Sequence, residues 1–408
     1  MTRAPGFEIR SARADEMDQL GEIGAYAYAG RYGDGPDNVV SRSNRAEWTT
    51  CAFVGGKMAA SYATIPFTMR ANGRAMALGG VTAVGTLPEY RRRGILRAIT
   101  QRAFADMRER GQSVAALWAS QAAIYQRYGY ALASMQSVYR IDSVDIGFAD
   151  GDGGSARIER VDVERGIDTI KRLYVVFVAN RMLYLHRSQA LWRNNALSAS
   201  DATGPVHVAI AYRDDAPVGH LIYHVRSAKV AHRSRGQELT IRDIAWLDID
   251  AYRSLWSWIK LHDLVGRVVW LNAPPDDPAI ELFVEPRLLH VEPREGVWVR
   301  IVDAPGALAA RGYHVDDAIA IEIADDALAP WNVGRLLLET SSEGAKVAPT
   351  TRSADLRLGP KALASLFTGA RSARQLKNWG LLDGDDGAVD RATRIFATRY
   401  APHCPDNF

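Results

Sequence analysis

The chain has 408 residues, of which 47% are hydrophobic and 24% charged, and its formal net charge at pH 7 is +3. These values are typical of a globular protein of two to four domains, and so small a net charge argues against general binding to nucleic acids or to membrane surfaces. The two cysteines, Cys51 and Cys404, and the nine histidines follow no metal-ligand spacing, so we expect neither a disulfide framework nor a metal site.

The N-terminal sequence M-T-R-A-P-G-F-E-I-R has no apolar stretch of signal-peptide length. The longest apolar run, residues 173–179, is too short to span a bilayer. We therefore expect a cytoplasmic protein with no membrane partner.

The first predicted elements are a strand at residues 7–9 and a helix at residues 15–29. Residues 30–45 are rich in turn formers and predict a long loop. Two aspartates of this loop, Asp34 and Asp37, either bind ammonium groups of a substrate or face solvent as ordinary turn residues.

Residues 49–65 then predict a β-hairpin, and residues around 76–84 predict another strand pair. Gly85, at the end of the last of these strands, suggests a bulge or the close approach of a ligand. A segment that opens there would leave backbone N–H and C=O groups free to bind a ligand.

An arginine-rich loop follows this strand. Pro88 ends the strand, and the sequence R91-R-R-G-I-L-R places four arginines around Gly94. Apolar residues spaced four apart then predict a helix that ends at residue 107. A helix N-terminus already carries about half a positive charge, so clustered guanidinium groups are unfavourable there unless an anion binds. The loop is therefore either a phosphate cradle or a solvated basic helix start.

The next motif is rich in tyrosine. Residues 113–118 predict a short buried strand, and Ser120 is a candidate N-cap for a helix over residues 121–128. Gly129 then ends that helix, within the sequence I124-Y-Q-R-Y-G-Y.

In this order, R91-R-R-G-I-L and I124-Y-Q-R-Y-G-Y resemble the GNAT superfamily of acetyl-CoA-dependent N-acetyltransferases, although Leu96 replaces a small residue of the family's pyrophosphate loop. The resemblance implies that acetyl-CoA is the cosubstrate and that Tyr125 protonates the departing thiolate. The implied cofactor-binding residues are Val84, Gly85, Thr86, Arg92, Arg93, Gly94, Ile95, Leu96, Arg97, Ser120 and Gln121.

The central region repeats the pattern of the first. Residues 147–155 (G-F-A-D-G-D-G-G-S) predict a flexible linker. Beyond it, residues 208–225 parallel residues 50–63, and residues 239–259 parallel residues 76–99. The second copy has D250-A-Y-R-S in place of the arginine loop, so we expect a second fold of the same kind that does not bind coenzyme A.

The last region predicts strands and a helix at residues 360–368 with proline in its first turn. This region resembles sterol-carrier-protein domains. It either encloses an apolar cavity or serves as a packing module. The predicted fold class is α+β, with an active GNAT domain at residues 1–146, a degenerate one at 156–291 and the sterol-carrier-like domain at 292–408.

Across its whole length, the chain is similar to the Eis (enhanced intracellular survival) family through R-R-R-G-[IL]-L-R, S-x-x-x-I-Y-x-R-[FY]-G-Y and a C-terminal Phe. This resemblance implies a homohexamer that acetylates aminoglycoside antibiotics, a small-molecule cationic amine as partner, and the α-carboxylate of Phe408 as the base. Asp406 is the alternative base. The alternative functions are a protein or peptide lysine acetyltransferase, and a lipid-binding or scaffold protein with a vestigial first domain.

Overall fold

The computed structural model describes residues 6–29, 44–200, 202–230 and 234–408. Contacts divide the chain into two compact units, of which the first comprises residues 1–133, 297–398 and 408, and the second comprises residues 134–296 and 399–407. The predicted loop aspartates Asp34 and Asp37 lie outside the described residues.

The N-terminal part of the first unit alternates strands with a few helices. In chain order its elements are β1 Glu8–Arg10, α1 Met17–Ala27, β2 Cys51–Val54, β3 Lys57–Ala71, β4 Arg74–Thr86, α2 Ile95–Glu109, β5 Val114–Leu117, α3 Ala122–Gln126 and β6 Ala131–Leu132. The predicted apolar stripe of the helix after the arginine loop is confirmed, since Ile95, Ile99, Ala103 and Met107 are all buried.

The second unit has the same alternation. In chain order its elements are β7 Met135–Asp142, β8 Arg157–Val161, α4 Val163–Val178, β9 Met182–Leu185, α5 Gln189–Asn194, β10 Val206–Arg213, β11 Ala216–Ser227, β12 Gln237–Trp246, α6 Ile249–Lys260, β13 Val265–Ala273, α7 Ala279–Leu282 and β14 Glu292–Glu295.

The chain then returns to the first unit. The remaining elements are β15 Trp298–Ile301, α8 Ala304–Ala310, β16 Asp317–Ile323, β17 Gly334–Ser341, β18 Gly344–Pro349, β19 Leu356–Leu358, α9 Pro360–Thr368, α10 Ala373–Asn378, β20 Leu382–Gly384 and α11 Asp386–Ile395. Helix α9 coincides with the predicted one, and its residues from Ala362 to Thr368 are all buried. It packs on β6 and β15.

The sheets confirm the predicted internal repeat. In the first unit, strands follow the order β1-β2-β3-β4-β5-β15-β6, and in the second the order is β14-β7-β13-β12-β11-β10-β8. Each sheet has an antiparallel hairpin, β2–β3 or β10–β11, and a parallel pair, β4–β5 or β12–β13. The C-terminal part of the first unit forms a separate sheet in the order β18-β17-β16-β19-β20.

Two strands do not join the sheets that the predicted domains, 1–146, 156–291 and 292–408, imply for them. Strand β7 pairs with β13 and β14 of the second unit, and β15 pairs with β5 and β6 of the first. Sequence pattern identifies a strand but not which of two similar sheets it joins, because the hydrogen bonds of the pairing are made by backbone.

The prediction of a flexible linker at residues 147–155 was wrong. Arg253 of α6 forms ion pairs with Asp150 at 2.7 Å and Asp152 at 3.2 Å, and Ser257 donates a hydrogen bond to the Gly153 carbonyl at 2.8 Å. The glycines and aspartates that suggested flexibility instead bind the segment to a helix.

None of the described helices combines the length and apolar character that a membrane span requires.

Candidate active site

The site begins where two parallel strands separate. Strand β4 pairs with β5 only from Leu78 to Gly80, although β4 continues to Thr86. The register of β4 against β3 shifts between Thr82 and Gly85, and Ala83 within this bulge has a φ of 51°. The bulge and the separation leave the end of β4 beside an open groove.

The helix that follows begins without a side-chain cap. Gly94 is the N-cap of α2, with a φ of 78°, and no acidic residue occupies the first turn. A Cβ built on Gly94 meets nothing within 4 Å, so the space in front of the helix is open. Free backbone N–H groups at an uncapped helix N-terminus favour an anion.

A cleft of about 610 Å³ joins the helix start to the end of β4. Its lining includes every predicted cofactor-binding residue except Arg93: Val84, Gly85, Thr86, Arg92, Gly94, Ile95, Leu96, Arg97, Ser120 and Gln121. The Arg93 guanidinium instead donates a hydrogen bond to the Glu89 carbonyl at 2.7 Å and lies over the Tyr90 ring. The arginines therefore differ in what they face: Arg92 and Arg97 line the cleft, and Arg93 turns back on the loop.

Tyr125 also lines this cleft. Its side chain is 6% exposed, and its ring packs edge-on against Tyr130 with the centroids 5.8 Å apart. Burial raises the pKa of the Tyr125 phenol well above its usual value, with a smaller opposing effect from a hydrogen bond with Ser120. The phenol is protonated at neutral pH, as a tyrosine is at its ordinary pKa, so a proton is present beside the cleft.

The predicted N-cap role of Ser120 was wrong. Helix α3 starts at Ala122, and its N-cap is Gln121, whose side chain makes no capping hydrogen bond. Ser120 instead hydrogen-bonds with the hydroxyls of Tyr28 and Tyr125. Because its hydroxyl is not used for capping, Ser120 orients the two phenols at the cleft.

Tyr28 was missed by the sequence analysis. Its hydroxyl donates a hydrogen bond to the Val84 carbonyl at 3.0 Å, and its side chain lines the cleft. It lies just after α1, in the sequence A25-Y-A-Y-A, which carries no motif.

The tyrosine segment is held from the C-terminal half of the first unit. Arg300 of β15 donates a hydrogen bond to the Tyr128 carbonyl at 3.0 Å and forms a buried ion pair with Asp326. Gly129, with a φ of 79°, approaches Arg300 so closely that a Cβ would lie 2.9 Å from its Nε. This fixes the position of the turn that follows Tyr125.

The two candidate bases lie in different units. The Phe408 ring packs against Phe67 of β3, with the centroids 5.1 Å apart, and a Cβ built on Gly80 of β4 would lie 3.0 Å from this ring. Asp406 belongs to the second unit, where it is fully buried and accepts a hydrogen bond from Arg187 at 2.8 Å. A buried carboxylate held by a guanidinium is poorly placed to take a proton from a substrate.

The matching helix start of the second unit is closed by protein groups. Asp248 is the N-cap of α6, and Arg213 binds both Asp248 and Asp250. The backbone N–H of Ser155 donates a further hydrogen bond to Asp250 at 2.8 Å. Carboxylates of the protein thus neutralise the partial positive charge at the N-terminus of α6, whereas at α2 a bound anion would do so.

The cleft of the first unit therefore fits a pyrophosphate, since it has an open helix N-terminus, four lining arginines that include Arg92 and Arg97, and a glycine without a neighbour at its Cβ position. Among the described residues, no group of three or more His, Cys, Asp or Glu side chains is arranged to hold a metal ion. Both cysteines are buried and free.

A chain with two copies of one fold, of which only the first keeps its helix start open beside a buried phenol, falls in the class of GNAT-fold acetyltransferases. Comparisons with protein families agree. Residues 8–133 and 183–301 each match a family described as Acetyltransferase (GNAT) domain, and residues 304–405 match one described as Sterol carrier protein domain. The predicted fold class is confirmed.

Relatives narrow the class to a family. An uncharacterized N-acetyltransferase of Streptomyces griseus is 31% identical over 377 residues, which cover 88% of this chain and 89% of that protein. N-acetyltransferase Eis of Mycobacterium tuberculosis is 29% identical over 308 residues, covering 73% of this chain and 72% of that protein. The crystal structure of Eis1 from Mycobacterium abscessus matches with a TM-score of 0.82 at 27% identity, covering 98% of this chain and 100% of that one. This chain belongs to the Eis-like family of GNAT acetyltransferases.

Proposed function

We propose that this acetyltransferase uses acetyl-CoA to acetylate primary amines of a polycationic small molecule, with aminoglycoside antibiotics as the acceptors and more than one amine modified per molecule. One observation carries the use of acetyl-CoA. The helix start at Gly94 is open and lies in the same cleft as Tyr125, whereas the matching start of α6 is capped by Asp248.

In this proposal the first turn of α2, Arg92 and Arg97 bind the pyrophosphate of coenzyme A. The backbone of Val84, Gly85 and Thr86 binds the pantetheine arm. Acetyl-CoA supplies the acyl thioester that the amine attacks. Tyr28 supports the β4 edge through its hydrogen bond to the Val84 carbonyl.

The reaction forms a C–N bond and breaks a C–S bond. A backbone N–H of β4 stabilises the negative charge that develops on the thioester oxygen. Tyr125 gives its phenolic proton to the departing thiolate, since a tyrosine phenol, with an ordinary pKa near 10, is protonated at neutral pH. Only the neutral amine attacks, so the ammonium group first releases one proton to solvent. The base removes a second proton from the nitrogen as the C–N bond forms, which leaves a neutral amide and balances the proton that the thiolate takes from Tyr125.

For the base we propose the α-carboxylate of Phe408, the role that the family resemblance implies. Packing of the ring on Phe67 supports the proposal, because an anchored residue is held in place as a base must be. Adding one residue after Phe408 should abolish turnover and leave the dissociation constant for coenzyme A unchanged. Normal turnover by the extended protein would reject this role.

The choice of aminoglycosides rests on the family resemblance, so a panel of acceptors tests it. Release of the coenzyme A thiol is measured with several aminoglycosides, simple polyamines and lysine-containing peptides at equal concentrations. Higher kcat/KM for aminoglycosides, with products carrying two or more acetyl groups by mass spectrometry, supports the proposal. A preference for the peptides supports a lysine acetyltransferase instead.

A third outcome concerns the sterol-carrier-like region. If isothermal titration calorimetry detects no binding of acetyl-CoA, the first domain is vestigial and a lipid-binding or scaffold role is favoured. The buried packing of α9 on β6 and β15 favours a structural role for this region. The homohexamer and the cytoplasmic location remain predictions, for which light scattering and cell fractionation are the measurements.

A further inference from the structure

The second unit also has a parallel pair of strands that separates, but there the space is filled. Strands β12 and β13 pair from Gln237 to Ile241, whereas β12 continues to Trp246. Between their ends lies a cavity of only about 20 Å³, whose lining includes Ile244, Asn272, His403 and Pro405. The chain segment 399–407 thus occupies the position that corresponds to the open cleft of the first unit.

Hydrogen bonds hold this segment along its length. The backbone N–H of His403 donates to the Met182 carbonyl at 3.0 Å, and the Asn272 side chain donates to the Pro405 carbonyl at 3.1 Å. Asn195 binds both the N–H and the carbonyl of Asn407, at 3.3 Å and 3.0 Å. The backbone is therefore held up to the residue that precedes Phe408.

A buried charge network anchors the same segment. The Arg187 guanidinium donates two hydrogen bonds of 2.9 Å to Asp243 and one of 2.8 Å to Asp406. The side chains of these three residues are 2%, 6% and 0% exposed. His220 contacts the same Asp243 carboxylate at 2.9 Å.

Aromatic rings fix the guanidinium in turn. Arg187 lies over the rings of Tyr174 and Trp192, at 4.1 Å and 4.4 Å from their centroids. A guanidinium that is stacked and bound at several nitrogens has little freedom, and removing one partner of a buried charge pair leaves an uncompensated charge. Asp406 is therefore held in one place.

We propose that the second acetyltransferase fold is a dock for residues 399–407, and that Arg187 is a positioning residue that fixes the chain at Asp406, two residues before Phe408. This inference rests on the proposed role of the Phe408 carboxylate as the base. It gives the degenerate fold a part in catalysis, and it makes Asp406 an anchor rather than the alternative base.

The test compares variants of the full-length protein. Asp406→Ala removes the anchor and leaves Arg187 paired with Asp243, whereas Asp406→Asn keeps an oxygen that accepts from the Arg187 Nε. Arg187→Lys keeps the charge and loses the planar set of donors. Tyr252→Phe is the control, since it removes a buried hydrogen bond of 2.9 Å to Asp277 in the same unit without touching the segment.

Three quantities are measured: kcat, the dissociation constant for coenzyme A, and amide hydrogen exchange of residues 399–407. We expect Asp406→Ala and Arg187→Lys to lower kcat by about tenfold to a hundredfold, as misplaced catalytic groups do. The dissociation constant should stay within about twofold of the parent value. Exchange in the segment should become faster, Asp406→Asn should restore most of kcat, and Tyr252→Phe should lower the melting temperature with kcat unchanged.

Parental kcat in Asp406→Ala, together with faster exchange, would overturn the inference, because the anchor would then be dispensable for turnover. Unchanged exchange in Asp406→Ala would overturn it as well. If Arg187→Lys does not fold, the two Asp406 variants decide. A parent protein that acetylates no amine contradicts the proposed function instead, and exchange alone then decides whether the dock exists.

Discussion

Asp248 accepts a hydrogen bond of 2.9 Å from the backbone N–H of Ala251 and so caps helix α6 with a carboxylate of the protein itself. At the corresponding place in the first fold, Gly94 precedes α2 with no such group. The N-termini of α2 and α6 thus differ in the source of the negative charge: the protein supplies it at α6, and a ligand must supply it at α2. The predictions below follow from the open one.

Arg92 and Arg93 are adjacent but face different groups, which makes them a matched pair. Arg92→Ala should raise the dissociation constant for coenzyme A by about tenfold, the usual loss for one charge-assisted phosphate contact. Arg93→Ala should change it much less, because that guanidinium binds the Glu89 carbonyl. Isothermal titration calorimetry at two salt concentrations measures both. Equal losses in the two variants would contradict the placement of the pyrophosphate.

Gly94 and Gly111 allow a similar comparison at the two ends of α2. Both have positive φ, 78° and 70°, and a Cβ on either meets nothing within 4 Å. Alanine should therefore cost each about 1 to 2 kcal/mol of stability through backbone strain. Only Gly94→Ala should also weaken binding of coenzyme A, because it alone alters the approach to the helix N–H groups. Melting curves and calorimetry separate the two effects.

Tyr125→Phe should lower kcat by about a hundredfold, the range for loss of one general acid, and leave binding of coenzyme A unchanged. Tyr313→Phe is the control: Tyr313 is also buried, its hydroxyl donates a hydrogen bond to the Leu308 carbonyl at 2.8 Å, and burial likewise raises the pKa of its phenol. Steady-state kinetics with a saturating acceptor is the measurement. A Tyr125→Phe protein as active as Tyr313→Phe would remove Tyr125 from the mechanism.

The second unit contains a buried carboxyl group that should make stability depend on pH. Burial raises the pKa of Asp277 to about 7, although it accepts hydrogen bonds from Tyr252 and from the Ala279 N–H. In the unfolded chain an aspartate has a pKa of about 3.9. Between these values the folded protein keeps a proton that the unfolded chain releases, so stability falls as pH rises.

The melting temperature of Asp277→Asn minus that of the parent should therefore increase as the pH is raised from about 5 to about 8. Asp263→Asn, an exposed change in the same unit, controls for the loss of one negative charge. Circular dichroism at several pH values measures the difference. A constant difference between Asp277→Asn and the parent across this range would contradict the assignment.

Local chemistry made the core of the site predictable from sequence. The arginine loop, the buried stripe of α2 and the tyrosine motif are each encoded within a few residues, and the structure brings Arg92, Gly94 and Tyr125 to one cleft. The sequence could not show which of Arg92 and Arg93 faces the cleft, because backbone dihedral angles decide the direction of each guanidinium. Arg92 has a φ of 61°.

The remaining differences depend on contacts between distant residues. Tyr28 reaches the site only because α1 packs beside β4, and no motif marks that contact. Aspartates and glycines at residues 150–154 suggest a mobile linker until their partner Arg253 is known. Partner choice over such separations cannot be read from local pattern.

Strand β15 has a consequence for how the protein is made. It lies between β5 and β6 and supplies Arg300, so the sheet of the first unit closes only after residue 301 has left the ribosome. While residues 134–296 of the second unit are being translated, the nascent first sheet keeps an unpaired edge, the kind of surface that attracts other chains. An expression fragment that stops before β15 should therefore aggregate rather than yield a minimal enzyme.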